Sequence, residues 1–213
     1  MKKTKISELQ AYLTVFFVAA LLVSNIITAK QIQLPFGITV TTGLFVFPIT
    51  YILSDLFSEV YGYRWSRITC YLAFGANLLM VGFFELAIVI PAPEWFEDQE
   101  AVRTVLGSAP RILAASLAAF VAGDFVNDRV FRRMKKKHET DHKGFGFRAI
   151  LSSVCGEFAD SLIFFPIVFL GEVPLGSLIG MALTEMSIKI LYEIIILPLT
   201  RTVVGIVSKA ESE

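Results

Sequence analysis

Ionisable side chains recur within segments of this sequence that are otherwise apolar. The last such segment carries Glu185, Lys189 and Glu193 at successive i, i+4 positions, which places all three along one stripe of a helix. The stretch FPITYILSDLFSEVYGYR likewise places Asp55 and Glu59 one helical turn apart. Carboxylates and a lysine at these spacings can pair with each other, exchange protons or bind a ligand that is rich in hydrogen-bond donors.

Three further apolar segments contain ionisable or amide side chains. These residues are Asn25, Lys30, Asp124, Asn127, Glu157 and Asp160. Glu157, Asp160 and Lys189 fall near the middle of their segments, which favours a functional role over a structural one. Glu59 lies close to the end of its segment, where simple solvation explains a charge equally well. Lys30 ends the first segment, from which its long side chain can also reach lipid headgroups.

The segments that carry these residues are apolar enough to cross a membrane. The chain has 213 residues, of which 55% are hydrophobic, and a soluble domain of this length seldom has so few polar residues to cover its surface. A transmembrane helix needs about 20 mostly apolar residues. Six windows qualify, at about 11–31, 42–61, 67–91, 108–131, 148–171 and 174–203. The sequence therefore predicts an all-α polytopic membrane protein, with residues 1–213 forming a single domain of six helices in one bundle.

The cost of placing charge in a membrane determines where these side chains point. An ionisable residue at the bilayer centre costs about 2.5–3.5 kcal/mol on insertion scales, so several facing lipid would be prohibitive. We expect Asp55 and Glu59 to form one wall of a polar cavity whose other walls are the fourth, fifth and sixth helices. The alternative is a static polar network that only fixes helix register. Pro48 and Pro166 lie near the acidic residues, and we expect each to kink its helix beside the cavity.

Basic residues concentrate in three segments that share one side of the predicted bundle. They are Lys2, Lys3 and Lys5 before the first helix, Arg64 and Arg67 after the second, and Arg132, Arg133, Lys135, Lys136, Lys137 and Lys143 after the fourth. The positive-inside rule therefore places both termini in the cytoplasm. The last group can also be interpreted as a nucleic-acid or anionic-lipid patch, but a topology signal explains it better. On the opposite side, APEWFEDQEAVRTVLG has the spacing of a short amphipathic element. We expect it to lie on the membrane surface or to cover part of an outer vestibule.

Five motifs in these helices resemble the queuosine precursor transporter family. They are SNIITAK, FPITYILSDLFSEVYGY, ASLAAFVAGDFVND, GEFADSLIFFPIVFLG and KILYEIIILPLT, which occur in order between about residues 15 and 204. The resemblance implies a six-helix importer in the bacterial inner membrane that takes up 7-deazaguanines, the precursors of a modified tRNA base. Carried over residue by residue, it marks a substrate-binding set of Asn25, Lys30, Asp55, Glu59, Asp124, Asn127, Glu157, Asp160, Lys189 and Glu193. The segment RITCYLAF departs from the family pattern near Cys70, which affects the packing of the third helix more than the site.

The chemistry of a deazaguanine agrees with these side chains. The ring presents an N–H beside an exocyclic amine, which one carboxylate accepts in a bidentate pair, and a carbonyl that needs a donor. Asp160 or Glu157 is the expected carboxylate, with Asn25, Asn127 or Lys189 as the donor. A 7-aminomethyl ligand is cationic and can use a second acid, whereas a 7-cyano ligand cannot. We also expect an aromatic side chain to stack on the ring.

Transport by binding near the midplane followed by alternating exposure is the leading functional hypothesis, and a carboxylate that releases protons inward would couple it to the proton gradient. No G-x-x-x-x-G-K-[ST] loop occurs, so the alternative is a substrate-binding subunit of a vitamin importer with a separate ATPase module. His138 and His142 lie outside the predicted helices, and no Ser–His or metal-ligand spacing occurs within them, which argues against an enzyme. We expect no cofactor and no nucleic-acid partner, and a bundle that closes alone or as a homodimer.

Overall fold

Helices account for most of the chain in the computed structural model, which describes residues 6–137 and 145–212. The helices are α1 (Glu8–Ile27), α2 (Phe47–Leu56), α3 (Tyr63–Val89), α4 (Gln99–Leu106), α5 (Ala109–Lys137), α6 (Phe145–Phe169) and α7 (Leu175–Ser212). Two short antiparallel strands, β1 (Gln31–Gln33) and β2 (Thr39–Thr41), follow α1, with Gln31 opposite Thr41. The terminal lysines, His138, His142 and Lys143 lie outside the described residues, so the predicted orientation of the termini stays a prediction.

Within the part of the chain that the structure describes, four helical stretches are long and apolar enough to cross a membrane. They are Glu8–Ile27, Tyr63–Val89, Gln99–Val130 and Leu151–Phe169. A fifth is counted if Leu175–Ile196 and Pro198–Glu211, which meet at an angle of 51°, form one span. These helices make the chain an all-α polytopic membrane protein. Pro198 accounts for this bend, because a proline within a helix removes one backbone hydrogen bond and clashes with the preceding turn.

The second predicted window, 42–61, is interrupted along its length. A 3₁₀ turn at Thr42–Phe45 precedes α2, and a π-helical turn at Phe57–Tyr61 follows it. Gly62, with a φ of 80°, separates that turn from α3. Our prediction that Pro48 kinks a continuous helix is wrong, because Pro48 lies in the first turn of α2, where its missing N–H is not needed.

A hairpin that the sequence did not predict replaces the expected loop between the first two windows. Pro35 and Gly37, which has a φ of 75°, form its turn, as is usual for residues with these backbone preferences. Val40 and Thr41 at its second strand are buried, whereas most of the first strand and the turn are exposed or half-buried. The hairpin is therefore anchored through β2.

Backbone contacts divide the chain into two compact units, and the prediction of a single domain stays a prediction. The first unit comprises Met1–Ala29, Thr42–Ala109 and Tyr192–Glu213. Its core contains Phe17, Leu53, Leu56, Phe57, Ala73 and Val207. The ring of Phe17 on α1 meets the ring of Phe57 edge to face, with centroids 5.8 Å apart. Helix α1 thereby packs against α2, its π-helical extension and α3.

The second unit comprises Lys30–Thr41 and Pro110–Leu191. Its core is formed by residues of α5, α6 and α7, namely Ile112, Ala115, Phe165, Val168, Phe169, Leu178 and Met181. At one end, the guanidinium of Arg111 donates hydrogen bonds to the carbonyl oxygens of Ile167 and Leu170 and to the carboxylate of Glu172. Arg111 thus satisfies carbonyls that the end of α6 leaves without partners.

The predicted amphipathic element is present as α4. This helix begins at Gln99, whose side chain donates to the carbonyl oxygen of Ile88 at 3.0 Å. Trp95 and Phe96 precede the helix rather than belonging to it, and Trp95 is 80% exposed. A large exposed aromatic side chain in this position is typical of a membrane–water interface.

Candidate substrate-binding site

A partly buried ion cluster joins α6 and α7 in the second unit. The Lys189 ammonium lies 3.0 Å from Oδ2 of Asp160 and 3.5 Å from Oε2 of Glu157. The three side chains are 8%, 25% and 19% exposed, in that order. Glu157 and Asp160 are three residues apart, so both point from one face of α6. The structure thus brings together the three residues that the sequence placed near the middle of their helices.

Glu185 extends this cluster along α7. It precedes Lys189 by one helical turn and is 1% exposed. Its carboxylate accepts the backbone N–H of Thr41 at 3.2 Å and the Thr41 hydroxyl at 3.1 Å. Glu185 lies on the predicted charged stripe but is not among the ten predicted site residues, and neither is Thr41. No local signal identifies Thr41, because its role depends on how the hairpin folds back onto α7.

A close crossing of α5 and α6 positions two further predicted residues. A Cβ atom added at Gly156 would lie 3.0 Å from the carbonyl oxygen of Gly123 and 3.1 Å from Cβ of Asn127. One added at Gly123 would lie 3.3 Å from Cβ of Asp160. Small residues allow such close backbone approach between membrane helices. Asn127 and Asp160 therefore flank the crossing, while Asp124 is half-buried on the same stretch of α5.

An amide pair links α1 and α3 in the first unit. The side-chain nitrogen of Asn25 donates to the side-chain oxygen of Asn77 at 2.7 Å. Asn77 is fully buried and also donates to the carbonyl oxygen of Ala73 at 2.9 Å. Asn25 is one of the ten predicted site residues, whereas Asn77 is not. The available signal was an amide on the buried stripe of α3, which also contains Thr69, Ala73 and Val81.

Asp55 lies close enough to two other carboxylates of the first unit to be repelled by both. Asp55 on α2 is within electrostatic range of Glu59 on the π-helical turn and of Glu193 on α7. Asp55 and Glu59 are exposed, whereas Glu193 is half-buried. This arrangement is favourable only where water, protons or a donor-rich ligand offsets the repulsion. It agrees with a water-filled environment around Asp55 and Glu59.

The ten predicted residues fall into two groups. Asn25, Asp55, Glu59 and Glu193 belong to the first unit, and Lys30, Asp124, Asn127, Glu157, Asp160 and Lys189 belong to the second. Lys30 is exposed between α1 and β1, where it makes none of the contacts described above. That both groups line one cavity stays a prediction. Within residues 6–137 and 145–212, no group of three or more His, Cys, Asp or Glu side chains is arranged to hold a metal ion.

Comparison with known proteins identifies the family. Residues 41–203 match the family described as "Putative vitamin uptake transporter". The chain belongs to this vitamin uptake transporter family. It is also 26% identical over 176 residues to a protein of Bacillus subtilis (strain 168) named "Probable queuosine precursor transporter", which covers 82% of this chain and 76% of the relative. No solved structure matches the chain.

The family assignment confirms the resemblance that the motifs predicted. Together with the apolar helices, it makes this transporter a multi-pass protein of the bacterial inner membrane and indicates transport rather than catalysis. The matched region includes the motifs of α2, α5, α6 and α7 and therefore eight of the ten predicted site residues. Asn25 and Lys30 precede it.

Proposed function

We propose that this transporter imports 7-deazaguanine precursors of queuosine and binds the base in a polar cavity near the bilayer midplane. The name of the Bacillus subtilis relative supports this substrate class. The observation that carries the proposal is the contact of the buried Lys189 ammonium with the half-buried carboxylates of Asp160 and Glu157. Charged groups within membrane-spanning helices are costly and mark substrate or ion pathways.

The ion cluster offers the hydrogen-bonding groups that a deazaguanine needs. A carboxylate oxygen pair at Asp160 or Glu157 accepts the ring N–H and the exocyclic amine. The Lys189 ammonium, 3.0 Å from Asp160, supplies a donor for the neighbouring carbonyl. Asn127 beside the α5–α6 crossing supplies a second donor. The side chains thus match the base edge without any cofactor.

Six spans complete the proposed transporter. We assign the sixth span to the discontinuous segment that contains α2. Helix α2 and its π-helical turn have 15 residues, from Phe47 to Tyr61, and are together about 22 Å long at 1.5 Å per residue. The hydrocarbon core is about 30 Å thick, so the preceding 3₁₀ turn is needed to cross it. Broken helices of this kind line the substrate sites of many transporters. Asp55 and Glu59 lie on this broken segment.

A substrate-binding subunit that depends on a separate ATPase is the second candidate, and the vitamin-uptake description of the family favours it. The purified chain in liposomes separates the two. Accumulation of labelled 7-cyano-7-deazaguanine by the chain alone supports the importer. Uptake that begins only after an ATPase module is added supports the subunit.

Selective binding tests the substrate class. A ligand that binds only the folded protein raises its stability, by about 2.7 kcal/mol at a concentration of 100 times Kd. We expect 7-cyano- or 7-aminomethyl-7-deazaguanine to raise the melting temperature of the purified transporter, and riboflavin and biotin to leave it unchanged. Equal shifts with all of these compounds would contradict the proposed substrate class.

A further inference from the structure

Glu185 is a buried carboxylate with an unusual partner. Its side chain is 1% exposed, on the helical stretch Leu175–Ile196, which is long and apolar enough to cross a membrane when it is joined with Pro198–Glu211. In the described part of the chain, the group that donates hydrogen bonds to it is Thr41, which is also 1% exposed. Asp160 and Glu157 differ from Glu185 because both lie within 3.5 Å of the Lys189 ammonium. A cation at that distance favours the ionised form of a carboxylate.

Thr41 suits both protonation states of Glu185. Its backbone N–H is a fixed donor to Oε2, 3.2 Å away. Its hydroxyl lies 3.1 Å from each carboxylate oxygen, where it can donate to an ionised carboxylate or rotate to accept from a protonated one. A hydroxyl partner therefore allows the carboxyl group to gain or lose a proton without leaving a buried polar atom unpaired.

The charge of Glu185 acts on the candidate substrate site. Among the described residues, the charged groups near enough to interact with it electrostatically are Lys189, one turn along α7, and Asp160 on α6. An ionised Glu185 attracts the Lys189 ammonium and draws it from Asp160. In the structure, Lys189 contacts Asp160 and Glu157. This is the arrangement expected when Glu185 is protonated and does not attract the ammonium.

We propose that Glu185 binds the proton that couples import to the proton gradient, an inference that rests on the proposed function. A proton from the outer solution forms the O–H bond of Glu185, and that bond breaks when the proton leaves to the cytoplasm. No other covalent bond changes, and one positive charge enters with each base. Protonation keeps Lys189 in contact with Asp160, which favours binding of the base. By thermodynamic linkage, the bound base in turn raises the affinity of Glu185 for the proton. Proton release inward then weakens the site and frees the base.

Reconstituted transporter and labelled 7-cyano-7-deazaguanine, which is uncharged, provide the test. With one proton per base, wild-type accumulation should rise about tenfold for each pH unit by which the outside is more acidic. Glu185→Gln resembles the protonated state, since its amide can accept from the Thr41 N–H and donate to the Thr41 hydroxyl. We expect this variant to exchange labelled for unlabelled base but to lose the tenfold response. Glu100→Gln, an exposed change on α4, is the matched control and should retain it.

A second pair of variants covers the case in which Glu185→Gln does not fold. Thr41→Val removes the hydroxyl that stabilises the ionised carboxylate, so base binding should persist to a higher pH, whereas Thr41→Ser should retain the wild-type profile. Three results would each overturn the inference. They are wild-type accumulation that does not depend on the pH difference, a tenfold change in accumulation per pH unit in Glu185→Gln, and equal pH profiles of base binding for the two Thr41 variants. A wild-type protein that neither binds nor exchanges the base would instead overturn the proposed function itself.

Discussion

Among single side chains, Asp160 has the most direct expected role. It contacts Lys189 at 3.0 Å and lies beside the α5–α6 crossing, where a base edge would find both an acceptor and a donor. We expect Asp160→Asn to abolish deazaguanine uptake, because an amide cannot accept two N–H groups with the strength of a carboxylate. Uptake of labelled base by cells, with membrane content measured by immunoblot, checks this. Asp98→Asn, an exposed change before α4, should transport normally. Wild-type uptake by Asp160→Asn would remove Asp160 from the site.

Lys189 is the residue whose loss should cost the most stability. Lys189→Met leaves Asp160 and Glu157 without the ammonium, and breaking a buried ion pair from one side typically costs about 3–5 kcal/mol. We expect a clear fall in the melting temperature in detergent. The double variant Lys189→Met with Asp160→Asn should recover part of that loss, since one unpaired charge is gone. A single variant as stable and active as the wild type would show that Lys189 is peripheral.

The sequence identifies the site residues that can be recognised from their own segment, by the cost of their charge or by their spacing. Glu157 and Asp160 are conspicuous because charge is costly in an apolar helix, and their spacing puts them on one face. Lys189 follows from the same argument. Asn77 and Thr41 escaped notice because an amide or a hydroxyl carries a small cost by itself. Their importance comes from partners 52 and 144 residues away, which no local pattern specifies.

At the scale of elements, the close approach of α5 and α6 depends on two glycines. A methyl group at Gly156 would lie 3.0 Å from a backbone oxygen of α5, which cannot move without the helix. We therefore expect Gly156→Ala to separate the two helices, to lower the melting temperature and to reduce base binding, since Asn127 and Asp160 flank the crossing. Gly180→Ala is the matched control because nothing lies within 4 Å of its added Cβ. Equal stability and binding in the two variants would contradict the crossing.

Arg111 should stabilise the end of α6 without affecting transport specificity. Its guanidinium binds two backbone carbonyls and lies 3.0 Å from the Glu172 carboxylate. Arg111→Ala should lower stability by about 1–2 kcal/mol, because hydrogen bonds from charged groups are worth more than neutral ones but this site is partly exposed. Arg103→Ala on α4 provides a control, since its pairing with Glu100 at 3.8 Å is exposed. Thermal unfolding of both variants measures the difference.

The helices that sequence reasoning located best are those with long uninterrupted apolar runs. The window at 67–91 corresponds to α3, and the window at 148–171 corresponds to α6, within a few residues at each end. The window at 42–61 was misread as one helix because its apolar content hides the backbone changes around α2. The hairpin at residues 31–41 was missed since three-residue strands lack a periodicity that can be recognised.

For the whole molecule, the distribution of basic residues predicts which side of the membrane the termini and loops occupy. The segments before α1, after the π-helical turn and after α5 are rich in Lys and Arg, whereas the segment around Trp95 is acidic. This asymmetry predicts insertion with both termini inside, because translocating short basic loops is unfavourable. The same orientation would place the hairpin that holds Glu185 on the outer side, from which the proposed proton arrives.

Thiol labelling tests this orientation directly. In a variant without Cys70 and Cys155, a single cysteine is introduced at Glu97 or at His142. We expect a membrane-impermeant thiol reagent to label Glu97→Cys in intact spheroplasts and His142→Cys only after lysis, because six spans with cytoplasmic termini place these positions on opposite sides. The opposite pattern would invert the transporter and place the hairpin inside. Labelling of both positions from one side would require an even number of spans between them, and would therefore contradict a single crossing by α5.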